Sequence, residues 1–76
     1  MAMMIAYFAD AAARDNAVRA AQSVATVRVE HIGDIKGVEN GVPSDEPPEP
    51  VAIFDATSLA DVVFFTNRGA FACLPV

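Results

Sequence analysis

His31 and Asp34 stand three residues apart in "EHIGD", which places an imidazole and a carboxylate close enough in sequence to act as an acid–base pair. They fall at the end of an alternating segment, where a lone histidine is ordinarily a solvated surface group, so no catalytic role is assigned to them. Cys73, the single cysteine, lies in "AFACLPV" among apolar residues. Thiolate chemistry needs a neighbouring base or a helix N-terminus, and with neither in sight this side chain reads as a small buried hydrophobe. Asp45, Glu46 and Glu49 offer three carboxylates to a hard cation, but Pro47, Pro48 and Pro50 restrict how the chain can wrap, and the D-x-D-x-D-G spacing is missing. One cysteine and one histidine can close neither a disulfide nor a Cys/His zinc site. With no GxGxxG, P-loop, GxSxG or HExxH, the expectation is a protein that is not an enzyme, with no metal and no cofactor.

Charge layout says more. The 76 residues carry a net charge of −5. Residues 1–36 balance four acids (Asp10, Asp15, Glu30, Asp34) against four bases (Arg14, Arg19, Arg28, Lys36), whereas six acids and no base lie between Lys36 and Arg68. Four of those acids, Glu39, Asp45, Glu46 and Glu49, fall in "ENGVPSDEPPEP" together with four of the five prolines. Such a layout lacks the basic footprint that phosphate backbones require, which argues against direct nucleic-acid binding. Prolines stiffen the segment and lower the entropy lost on docking. These four acids are therefore the candidate partner-binding residues, and a basic protein surface is the candidate partner.

The elements that would carry this segment follow from periodicity. Residues 3–8, "MMIAYF", form a continuous apolar run that reads as a central strand buried on both faces. Asp10 can cap a helix over 11–24, in which Ala13, Ala17, Ala20, Ala21 and Val24 share the inner face, and Asp15 and Arg19 can pair on the outer one. Alternation predicts a strand over 26–32, and "VAIFD" at 51–55 a second buried strand. In between, glycines and prolines predict an irregular loop at about 37–50. Residues 58–67 favour a helix with Ser58 as N-cap, Asp61 three residues on and Asn67/Gly69 as a stop, although Val62 to Thr66 are β-branched or aromatic and a hairpin is the alternative. Residues 5–15 laid over 51–61 match Ala6 with Ala52, Phe8 with Phe54 and Asp15 with Asp61, an internal echo that supports two strand-then-helix units.

The pattern predicts a small single α+β domain over residues 1–76, a ferredoxin-like βαββαβ sandwich; the alternative is a mixed α/β fold with one long helix and a C-terminal β-hairpin. The acidic loop would then project as a hairpin tip between the second and third strands. No run approaches the roughly 20 apolar residues of a membrane span, and the apolar opening, lacking a basic start, reads as a strand rather than a signal peptide. A reducing cytoplasm fits the single cysteine.

In size and charge the chain resembles the small acidic inhibitors that phages make against host defence, such as anti-CRISPR proteins. That resemblance implies an interaction module that occupies a basic, nucleic-acid-binding surface of another protein. Two other classes stay open: a ligand-sensing regulatory module working as a homodimer, and a structural subunit of a larger assembly.

Overall fold

Asp10 ends the first apolar run and starts the first helix, its carboxylate accepting the Ala13 N–H at 2.8 Å. In the computed structural model, which describes residues 2–24, 27–36, 38–39, 41–43 and 48–76, eight elements follow one another. They are β1 (Ala2–Phe8), α1 (Ala11–Val24), β2 (Arg28–Ile35), β3 (Val38–Glu39), β4 (Val42–Pro43), β5 (Glu49–Ala56), α2 (Leu59–Thr66) and β6 (Ala70–Pro75). The four long strands make one antiparallel sheet in the order β2-β5-β1-β6, and β3 and β4 pair as a separate ribbon. This is an α+β architecture whose element order fits a ferredoxin-like topology.

Both helices lie on one face of the sheet. Ala6 and Phe8 of β1, Ala52, Phe54 and Ala56 of β5, Ala17, Val18 and Ala21 of α1, and Phe65 of α2 share a single buried cluster. Phe65 sits at its centre, 4.4 Å from the Phe54 ring centroid and 6.4 Å, edge-on, from that of Phe8. Alanines on α1 keep that helix close to the sheet, as its composition predicts.

The inner face of α1 is rotated from its expected position. Val18 is buried, while Val24 is 49% exposed. Arg14 explains the rotation: its guanidinium donates to the Gly33 carbonyl at 2.9 Å and to the Asp34 carboxylate at 3.2 Å, tying that side of the helix to the end of β2. Asp15 pairs with the same guanidinium at 2.9 Å rather than with Arg19.

Helix α2 forms where expected, and Val62 to Thr66 are helical, which removes the C-terminal hairpin alternative. Its cap differs from the expected box. Ser58 is extended and makes no side-chain cap bond. Asp61, buried against α2's start, instead reaches back one residue further and accepts from the Thr57 N–H at 2.8 Å and the Thr57 hydroxyl at 2.9 Å. The Thr57 N–H, outweighing the opposing effect of burial, holds the Asp61 carboxyl below its ordinary range. At the other end the Arg68 guanidinium lies 3.7 Å over the Phe64 ring and donates to the Phe64 carbonyl at 3.1 Å, and Gly69 turns the chain at φ 103°.

Two boundaries differ from the sequence reading. Strand β2 runs on through Gly33 to Ile35, and β5 begins at Glu49 rather than Val51, because the two strands pair over their whole lengths from Arg28↔Asp55 to Ile35↔Glu49. Among the described residues between them a short ribbon forms where glycines and prolines predict a loop: Val38 pairs with Pro43 and Glu39 with Val42, with Gly41 at φ 77° between.

Candidate interaction surface

Register decides which side chains face away from the helices. Ala6 pairs with Ala52 and Met4 with Phe54 on the helix side, so Met3, Ile5 and Tyr7 of β1 share the opposite face with Asp55, Ile53 and Val51 of β5. On β6 the residues opposite Tyr7 and Ile5 are Ala72 and Leu74. Along β2, His31, Gly33 and Ile35 oppose Ile53, Val51 and Glu49 and complete the row.

This second face is apolar across its centre and carries charge only towards the ends of β2 and β5. Val51 is 1% exposed although it lies outside the helix-side core, so its neighbours on this face bury it. Met3, Ile35, Phe71 and Leu74 nonetheless remain open to solvent. Both edge strands carry a bulge. Glu30 is the extra residue of β2, between the Val29↔Phe54 and His31↔Ile53 pairs. Phe71 is the extra residue of β6, between Ala70↔Phe8 and Ala72↔Tyr7. That second bulge lays Phe71 against Tyr7, with ring centroids 6.3 Å apart.

Tyr7, Ile35, Glu49, Phe71, Ala72 and Leu74 line a shallow depression of about 310 Å³ at one end of the face. It lies where β2 and β5 hand over to the acidic segment, and among the described residues Glu49 is its one charged side chain.

The four acids singled out by sequence have different fates. Glu49 is the first residue of β5, exposed and at the border of the depression. Glu39 lies in β3, opposite Val42. Asp45 and Glu46 lie outside the described residues.

Neither candidate for chemistry is assembled. His31 and Asp34 fall on opposite faces of β2, His31 opposite Ile53 on the open face and Asp34 held by Arg14 on the helix side. The imidazole folds back along its own strand, its Nε2 3.1 Å from where a Cβ on Gly33 would sit. Cys73 faces the helices and is partly buried, and burial pushes its thiol up, away from the thiolate that nucleophilic chemistry requires, against a smaller pull from the Thr66 side chain. Among the described residues no three His, Cys, Asp or Glu side chains gather into a metal-binding group, and no helix is long and apolar enough to cross a membrane.

No protein family, curated protein or solved structure matches the chain.

Two helices on one face of a four-stranded sheet imply an open face, but sequence reasoning put the candidate contact on the acidic segment instead. The signal of that face was present in "MMIAYF" and "VAIF", whose successive residues are all apolar, a pattern that calls for cover on both sides of a strand. The two helices cover one side only, so each run leaves its second side open within one chain.

Proposed function

We propose that the chain is a small acidic protein-interaction module whose segment 37–50 docks on a basic, nucleic-acid-binding surface of a partner protein and blocks it. The observation that carries this reading is the pairing of β2 with β5 up to Ile35↔Glu49, which makes the acidic segment the connection between two paired strands rather than a free tail. Fixing both ends restricts where Glu39, Asp45, Glu46 and Glu49 can go, and a restricted ligand loses less entropy on docking. The base-free interval from Lys36 to Arg68 leaves those acids available to a partner's arginines and lysines. We take the frame as a ferredoxin-like sandwich with the β3–β4 ribbon added between its second and third long strands, and a reducing cytoplasm as its compartment.

A ligand-sensing reading would use the depression at Tyr7 and Phe71. Its volume of about 310 Å³ stands at the floor of the roughly 300–1,000 Å³ range of small-molecule sites, and among the described residues a single carboxylate supplies its charge, so this reading comes second.

The test begins with capture of a partner from the source cell and continues with purified components. Binding should weaken as salt rises, compete with the partner's nucleic acid, and fall when Asp45, Glu46 and Glu49 are all changed to lysine. Binding by that triple variant as tight as wild type at low salt would sink the reading and move the contact off the acidic segment.

A further inference from the structure

We propose that the open sheet face is covered by a second copy of this chain, so that two sheets stack face to face in a symmetric dimer. Three observations converge on that occupant.

The first is the layer count. Strands β1 and β5 are apolar on both faces, as strands are when each side is covered, and the two helices supply one layer only. Val51 is buried by its own neighbours on that face, while Ile5, Tyr7 and Ile53 beside it stay half-buried. Phe71 and Leu74, 60% and 52% exposed, stand out of that face with nothing on them.

The second is area. At ~4.8 Å between strands and ~3.4 Å per residue, a sheet of four six-residue strands spans roughly 400 Å² in plan. That is about half of the ~800 Å² per partner of a standard interface before side-chain relief is counted, the scale of a small, concentration-dependent dimer.

Charge is the third. The net charge of −5 would resist self-association if it lay on this surface. Little of it does: β1 and β6 carry no charged residue, and the ionic groups of the face sit towards the ends of β2 and β5, with Arg28 paired to Glu30 at 2.7 Å beside Asp55 at one end and Glu49 at the other. An apolar centre with mixed charge at its border can meet its own copy, as an isologous contact requires. An acidic or basic foreign partner would find little to pair with across the middle.

This inference does not rest on Asp45 or Glu46, whereas Glu49 borders the sheet face and belongs to both surfaces. Sedimentation equilibrium from low micromolar to near-millimolar concentration should give twice the 8.0 kDa chain mass. Phe71→Lys should raise the dissociation constant by about thirtyfold or more, as placing a charge on an exposed aromatic anchor does, and Leu74→Ala should raise it by less. Leu59→Lys, at a residue 76% exposed on α2, should leave it unchanged, and the circular dichroism of all three should match wild type. A soluble paramagnetic probe gives a reading that needs no variant: Ile5, Ile53 and Leu74 methyl signals should be shielded at high concentration and bleached on dilution, while Leu59 and Val63 are bleached throughout. A chain that stays monomeric at every concentration overturns the proposal. So does a dimer in which those three methyl groups remain bleached, or one that Leu59→Lys breaks and Phe71→Lys does not.

Discussion

Asp61 shows how one side chain can do a different job from the one its position suggests. Three residues after a serine, it looks like the second half of a capping box, but Ser58 leaves its own half unmade and the aspartate takes the N–H and hydroxyl of Thr57 instead. Both bonds are to a carboxylate buried to 7% exposure, and hydrogen bonds to a charged group are the stronger kind, although water can reach the exposed Thr57 once the carboxylate is gone. Asp61→Ala should therefore lower unfolding free energy by about 1–3 kcal/mol, measured by urea denaturation at neutral pH. The sign with pH follows from linkage. Because the folded carboxyl is more acidic than the unfolded one, its stabilisation is complete above the ordinary value of 3.8 and is lost as pH falls through the lower folded value. The difference between wild type and Asp61→Ala should shrink over that acid window, and an unchanged or growing difference would mean that Thr57 is not what holds the carboxylate.

At the scale of elements, the two helices differ in how much the sequence disclosed. The bounds of α1 follow from Asp10 and a run of alanines, and they emerge as expected because local cap and pattern agree. Its rotation was not legible, since it depends on Arg14 reaching Gly33 and Asp34 some twenty residues away. Ala17, 1% exposed, lies on the inner face in both readings. Ala17→Leu should overpack the contact with the sheet at a cost of about 1–3 kcal/mol, and a melting temperature equal to wild type would show that the helix stands further off than it does here. Helix α2 was the ambiguous element, because β-branched and aromatic residues fill a helix whose inward face is set by Phe65. Its end depends on Gly69 at φ 103°, where a Cβ meets only Ala13 at an ordinary 3.7 Å but the backbone angle itself disfavours any side chain. Gly69→Ala should accordingly cost about 1 kcal/mol or more by thermal denaturation, through backbone strain rather than collision. The acidic segment was legible as composition and not as geometry: its ends became fixed only through the long β2–β5 register.

Over the whole molecule, apolar and acidic features occupy different places, and this separation has a consequence for salt. The apolar face spans the sheet, while the acids cluster in the segment that leaves at one end of β2 and β5. Contacts made by exposed acids weaken as ionic strength rises, with a screening length of about 8 Å at physiological salt. Burial of apolar surface is instead strengthened by sulfate, which is excluded from protein surface. Raising sodium sulfate should therefore tighten self-association of the free chain while it loosens the complex with a basic partner, two opposite trends in one titration. Mass action adds a second signature: if the dimer is the folded form, the melting temperature should rise with protein concentration. Phe71→Lys should abolish that concentration dependence and leave the salt sensitivity of partner binding intact, whereas lysine at Asp45 and Glu46 alone, with Glu49 kept because it borders the sheet face, should do the reverse. A single variant that removed both behaviours while preserving the fold would show that the sheet face and the acidic segment form one surface, and that separate roles for them are mistaken.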